Sequence, residues 1–166
     1  MPSRTAGNLT RLSLLPALFL VLCAPALAQK APPDGQVIAA CLKKAHDLGE
    51  FGSPCIGAVA DPCIANAMKQ TSYWEDSKAC AGRELNVWSD LMQKALKSVD
   101  KGADKTIRAT IADAQKSWQQ SRDKLCPIFD GLDPGTVPGG ANYCRLQETA
   151  RRVLSLQRLS GALGEH

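Results

Sequence analysis

In SKACAGRELNVWSDLMQKALKSV, residues 77–99, the side chains of Leu85, Trp88, Leu91, Met92, Ala95, Leu96 and Val99 recur at spacings of three and four. That period places them on one face of an α-helix, because 3.6 residues make a turn. Two further stretches carry the same pattern. Residues 104–125 hold Ile107, Ile111, Ala114, Trp118 and Leu125, with Asp104 at the start; residues 142–159 hold Leu146, Ala150, Val153, Leu154 and Gln157. No stretch alternates with period two, so strands are not expected. Three amphipathic helices must bury their apolar stripes against one another. The chain therefore reads as all-α, a small helical bundle of three main helices with short N-terminal helices before them.

Those shorter helices are predicted at Val37–Leu48, with Val37, Ile38, Cys41, Leu42 and Ala45 on one face, and within the Ala-rich stretch Cys55–Met68. There Pro62 either interrupts the stretch or opens a helix with Asp61 as N-cap. Residues 70–77 read as a polar linker. Residues 127–140 read as a long loop, with the turn formers Asp130-Gly131, Asp133-Pro134-Gly135 and Pro138-Gly139-Gly140.

Upstream, Arg4 and Arg11 precede an apolar run, Leu12 to Leu22, that ends in Ala26-Leu27-Ala28. This is the layout of a cleavable export signal, cut after Ala28. The run is too short for a bilayer span, which takes roughly 20 apolar residues. The expected organisation is a signal peptide at 1–28, a disordered Pro-rich lead-in at 29–36 and a single helical domain at 37–166, periplasmic or secreted. The signal would remove Cys23, one of seven cysteines, and leave Cys41, Cys55, Cys63, Cys80, Cys126 and Cys144. An even set in an exported chain implies disulfides. Cys126 ends one helix and Cys144 starts the next, so their bond would staple the base of the long loop. Cys63–Cys80 would bridge the linker and Cys41–Cys55 the N-terminal hairpin, although an exchange among these four stays open.

Charge excludes some partners. Of 20 basic residues two lie in the signal, against none of the 16 acids, so the remainder is close to neutral. Nucleic-acid binding needs a clustered basic face, which is lacking here. Catalysis finds no support either. The chain has two histidines, His46 and His166, and no Ser-x-x-Lys, Gly-x-Ser-x-Gly or His-Glu-x-x-His. The cysteines are too widely spaced for a redox pair or a zinc knuckle, and no cofactor pattern is present.

Three segments bear a resemblance: Cys80-x-x-x-Glu84-Leu85-Asn86-x-Trp88-x-x-Leu91, then Ala114-Gln115-x-x-Trp118-x-x-x-Arg122-Asp123-x-x-Cys126, then Cys144-x-x-x-x-Thr149-x-x-Arg152-x-x-x-Leu156. Together they resemble the N-terminal domain of the LprI-type lysozyme-inhibitor-like family of bacterial envelope proteins, over Cys55 to Leu159. Trp88 stands where the family has a tyrosine, and Cys41 and Cys55 add to its four cysteines. The resemblance implies a binding protein that occludes a lysozyme cleft; the other reading is a structural or envelope-stress module without an enzyme target.

The motif residues carry expectations. Asn86, Arg122, Asp123, Thr149 and Arg152 are expected to form a polar network pinning three helices, since buried polar groups need partners. The alternative is an exposed Arg122 or Arg152 that docks into an acidic cleft. Leu85, Trp88, Gln115 and Trp118 complete the motif, the two tryptophans as packing residues. Candidate partner contacts are Tyr73 and Trp74 in the linker, which would otherwise lie as a lid over the cystine-rich end, and Asp130 and Asp133 in the loop.

Overall fold

The structure is a computed structural model and describes residues 33–133 and 135–164. The expected signal at 1–28, and residues 29–32 of the expected lead-in, lie outside the described residues. These contain five α-helices and no strand: α1 (Asp34–Asp47), α2 (Ala60–Ala67), α3 (Tyr73–Gly102), α4 (Lys105–Leu125) and α5 (Gly140–Gly164). Short 3-10 segments occur at Ser53–Cys55 and Cys126–Gly131.

The periodic stretch becomes α3, and its buried positions run 77, 80, 81, 84, 88, 92, 95 and 99. This stripe packs chiefly against α5, where Leu146, Ala150, Val153 and Leu156 are buried. Asn142 bonds to the carbonyl of Lys78, Ser98 meets Ser160, and Leu163 lies against Gly102. Sequence numbers rise together along both helices, so α3 and α5 run parallel. Parallel neighbours need a return element, and α4 supplies it. Its Arg108 reaches Asp100 of α3, while Gln115 reaches Met92. Gln115 is the single buried residue of α4. Ile111 and Trp118 are only partly buried against the core, so α4 is the outlying helix of the bundle.

Helix ends follow local chemistry. Asp104 caps α4, its carboxylate accepting the N–H of Ile107 at 2.8 Å. The helix α3 begins four residues earlier than its apolar stripe requires. Glu75 and Asp76 lie in its first turn, where acids oppose the positive end of the helix dipole, and Ser72 bonds Asp76 at 2.6 Å. Tyr73 and Trp74 are therefore helical and half-buried, not in a linker. The lead-in is likewise shorter than expected. Asp34 to Gln36 form the first turn of α1, and Asp34 is held by a two-pronged bond from Arg83 of α3 at 2.6 and 3.0 Å.

Pro62 neither interrupts nor opens α2. It is the third residue of that helix, where a missing N–H costs nothing, and Val59 rather than Asp61 is the N-cap. The cap group comes from elsewhere. Glu84 of α3 accepts the main-chain N–H groups of Gly57, Val59 and Ala60 at 2.7–2.8 Å.

Three disulfides join the elements: Cys41–Cys55, Cys63–Cys80 and Cys126–Cys144. The first holds the turn after α1, the second binds α2 to α3, and the third binds the end of α4 to the start of α5. The second and third, with the α3–α5 seam, hold the end of the bundle where α2 and the start of α5 meet.

Candidate functional site

Residues 126–140 are braced along their length. Cys126 is fully buried and bonded to Cys144. Pro127 then leads a 3-10 turn rather than a free loop. The Asp130 carboxylate, half exposed, accepts the N–H of Ala141 at 3.0 Å, with Lys78 at 3.9 Å. Asp133 bonds both the N–H and the hydroxyl of Thr136 at 3.1 Å and so closes a turn. Gly140 has φ 49°, and a Cβ there would lie 2.9 Å from the Trp74 ring and 2.5 Å from the Asp130 carboxylate. Only glycine meets both demands. The segment and the end of α4 also carry exposed apolar groups: Ile128 is 59% exposed, Leu125 46% and Leu132 44%.

Beside this ridge lies a groove of about 490 Å³ between α2, the braced segment and α5. Ile64, Met68, Leu125, Phe129 and Val137 form apolar walls. Asp61 and Tyr143 belong to its polar lining, the Tyr143 hydroxyl donating to the Asp61 carboxylate at 2.6 Å. Burial, then the bond to Asp61, pushes the Tyr143 phenol up to about 12. At the rim Arg151 bonds Glu148 at 3.0 Å.

The residues singled out from the sequence divide into groups. Arg122 reaches Thr149 at 3.4 Å, pairs with Asp123 on its own helix and lies over the Trp118 ring at 4.8 Å. Arg152 donates to Gln115 at 2.9 Å. These bonds join α4 to α5 and, through Gln115, touch Met92 of α3. Asn86 is not brought to them. It is exposed on the far side of α3, two positions off the buried stripe, so the expected network lacks that member. Asp123 is also exposed and binds only Arg122 among the described residues. Leu85 is partly buried against the core and Trp88 wholly buried in it. Trp74 underlies Gly140 and carries the Lys78 ammonium 4.7 Å above its ring. Trp74, Asp130 and Asp133 thus shape the braced segment, and both aspartates remain exposed.

Two participants went unnoticed in the sequence. Glu84, on the buried stripe of α3, was readable as an acid at a core position. The Asp61–Tyr143 bond spans 82 residues and left no local signal.

The sequence model of the lysozyme inhibitor LprI family matches residues 63–156. The chain belongs to the lysozyme inhibitor LprI family. The span typical of LprI opens at Cys63 of α2 and closes at Leu156 of α5. It therefore takes in two of the three disulfides, the braced segment and the groove apart from Asp61. Helix α1 and the Cys41–Cys55 bond lie outside the LprI match. Comparisons with curated proteins and with solved structures returned no match. No helix among the described residues is long and apolar enough to cross a membrane.

Proposed function

We propose that this protein is an exported envelope protein that inhibits a lysozyme by occluding its cleft. Family membership supports the target class. The observation that carries the mechanism is the ridge of Leu125, Ile128 and Leu132, exposed on a segment held by its own hydrogen bonds and closed at its base by Cys126–Cys144. Exposed apolar groups gathered at one place mark an interaction surface. A segment already held in one shape loses little entropy on binding, so its apolar contacts translate into affinity. Steering by net charge contributes little, because the whole chain carries a formal charge of +4 and lysozymes are commonly basic. Export follows from the signal-like layout of residues 1–28.

The test is a lysis assay on a cell-wall suspension with several lysozyme types and the purified, oxidised chain. Inhibition by the wild type at micromolar protein, lost in Ile128→Asp/Leu132→Asp with unchanged thermal stability, is the expected result. Lysis at full rate with every lysozyme overturns the proposal and leaves the non-inhibitory envelope module.

A further inference from the structure

We infer that the groove between α2, the braced segment and α5 receives a basic side chain, a guanidinium or ammonium on an aliphatic stem, presented by the bound partner. This rests on the inhibitor reading for the identity of the protein that presents the side chain. The preference for a cation rests on the groove itself.

The groove has two chemistries side by side. Ile64, Met68, Phe129 and Val137 make its lining apolar and suit methylene groups. The exposed Asp61 carboxylate also lines it. Asp61 belongs to none of the ion pairs found among the described residues. A neutral phenol orients it: Tyr143 donates one hydrogen bond to one oxygen and brings no positive charge. The only arginine at the rim, Arg151, already bonds Glu148. Asp61 and Glu148 therefore outweigh Arg151, and the groove is locally negative in a chain of formal charge +4. A carboxylate beside an apolar wall favours a cation on an aliphatic stem, because a charge-assisted hydrogen bond to the head adds to the burial of the stem. A volume of about 490 Å³ admits a long side chain with its flanking backbone. The ridge and the groove are contiguous, since Leu125 belongs to both. A partner pressed on the ridge would bring a neighbouring lysine or arginine to the groove mouth.

The test compares butylguanidinium with butylurea, its uncharged isostere, by amide chemical-shift titration of the full mature chain at millimolar ligand. Butylguanidinium is expected to shift the amides of Ile64, Met68, Tyr143 and Gln147 saturably, and butylurea to bind about tenfold more weakly, the difference expected of a charged hydrogen-bond partner. Asp61→Asn is expected to remove the difference between the two ligands. Met68→Glu, at an exposed wall position, is expected to tighten butylguanidinium alone, which keeps the test open should the Asp61 variant not fold. Equal binding of the two ligands, shifts elsewhere on the surface, or an Asp61→Asn chain that inhibits lysozyme as well as the wild type would overturn the inference. A wild type that binds butylguanidinium here yet inhibits no lysozyme overturns the inhibitor reading and upholds the groove's cation preference.

Discussion

The carboxylate of Glu84 accepts the indole N–H of Trp88, one turn further along α3, at 2.8 Å, and both side chains are wholly buried. The same carboxylate caps the start of α2 through three main-chain N–H groups. One acid thus serves as cap for one helix and as partner for the core tryptophan of another. Replacing Glu84 by Ala leaves four buried donors unpaired, and we expect a loss of about 3–5 kcal/mol in urea unfolding. Trp88→Phe keeps an aromatic body and frees one acceptor, so about 1–3 kcal/mol is expected.

The contacts of α4 have unequal weights. Arg152→Ala strips the partner from the buried Gln115 carbonyl oxygen and should cost about 1–3 kcal/mol. Asp123→Ala breaks an exposed pair on one helix and should change stability by less than about 1 kcal/mol. Equal losses in chemical unfolding of the two variants would contradict this ranking.

Closing the 18-residue separation between Cys126 and Cys144 stabilises the fold by about 3 kcal/mol in the chain-entropy account. A Cys126→Ser/Cys144→Ser chain should melt lower by a corresponding amount. At temperatures where it stays folded, its lysozyme inhibition should fall further than its folded fraction, because the ridge is no longer held. Inhibition tracking the folded fraction would mean that bracing has no role.

Tyr143 gives a pH signature. Its phenol ionises at about 12 in the folded chain, above its ordinary value of 10.0, owing to burial and then the bond to Asp61. Between those two values the folded state holds the proton more tightly than the unfolded state. Its contribution is therefore complete below pH 10 and is lost as pH rises towards 12. Ultraviolet titration of the wild type should show a tyrosine step near 12 that is absent in Tyr143→Phe, whose stability should fall less steeply across the same window.

Helix period, the start of α4 near Asp104 and the turn formers up to Gly140 are legible because each depends on a few neighbouring residues. Misreadings clustered where distant groups complete a local structure. The chain around Asp61 and Pro62 looked ambiguous because the cap of α2 lies on α3. Tyr73 and Trp74 read as a linker because their surroundings in sequence are polar, whereas the packing partner of Trp74, Gly140, arrives from α5. Asn86 was grouped with motif residues that turn out to face another way, since a motif records spacing and not direction.

By itself the sequence determined an all-α chain, its family and its main helices, since apolar period and turn chemistry act over one or two turns. Tertiary structure alone decided that α3 and α5 run parallel and that Glu84 caps a helix 24 residues away. It also decided that Asp61 and Tyr143 meet in the lining of one groove. Those outcomes depend on which buried polar atom finds which partner across the bundle, and only the packed chain brings such pairs within hydrogen-bonding distance.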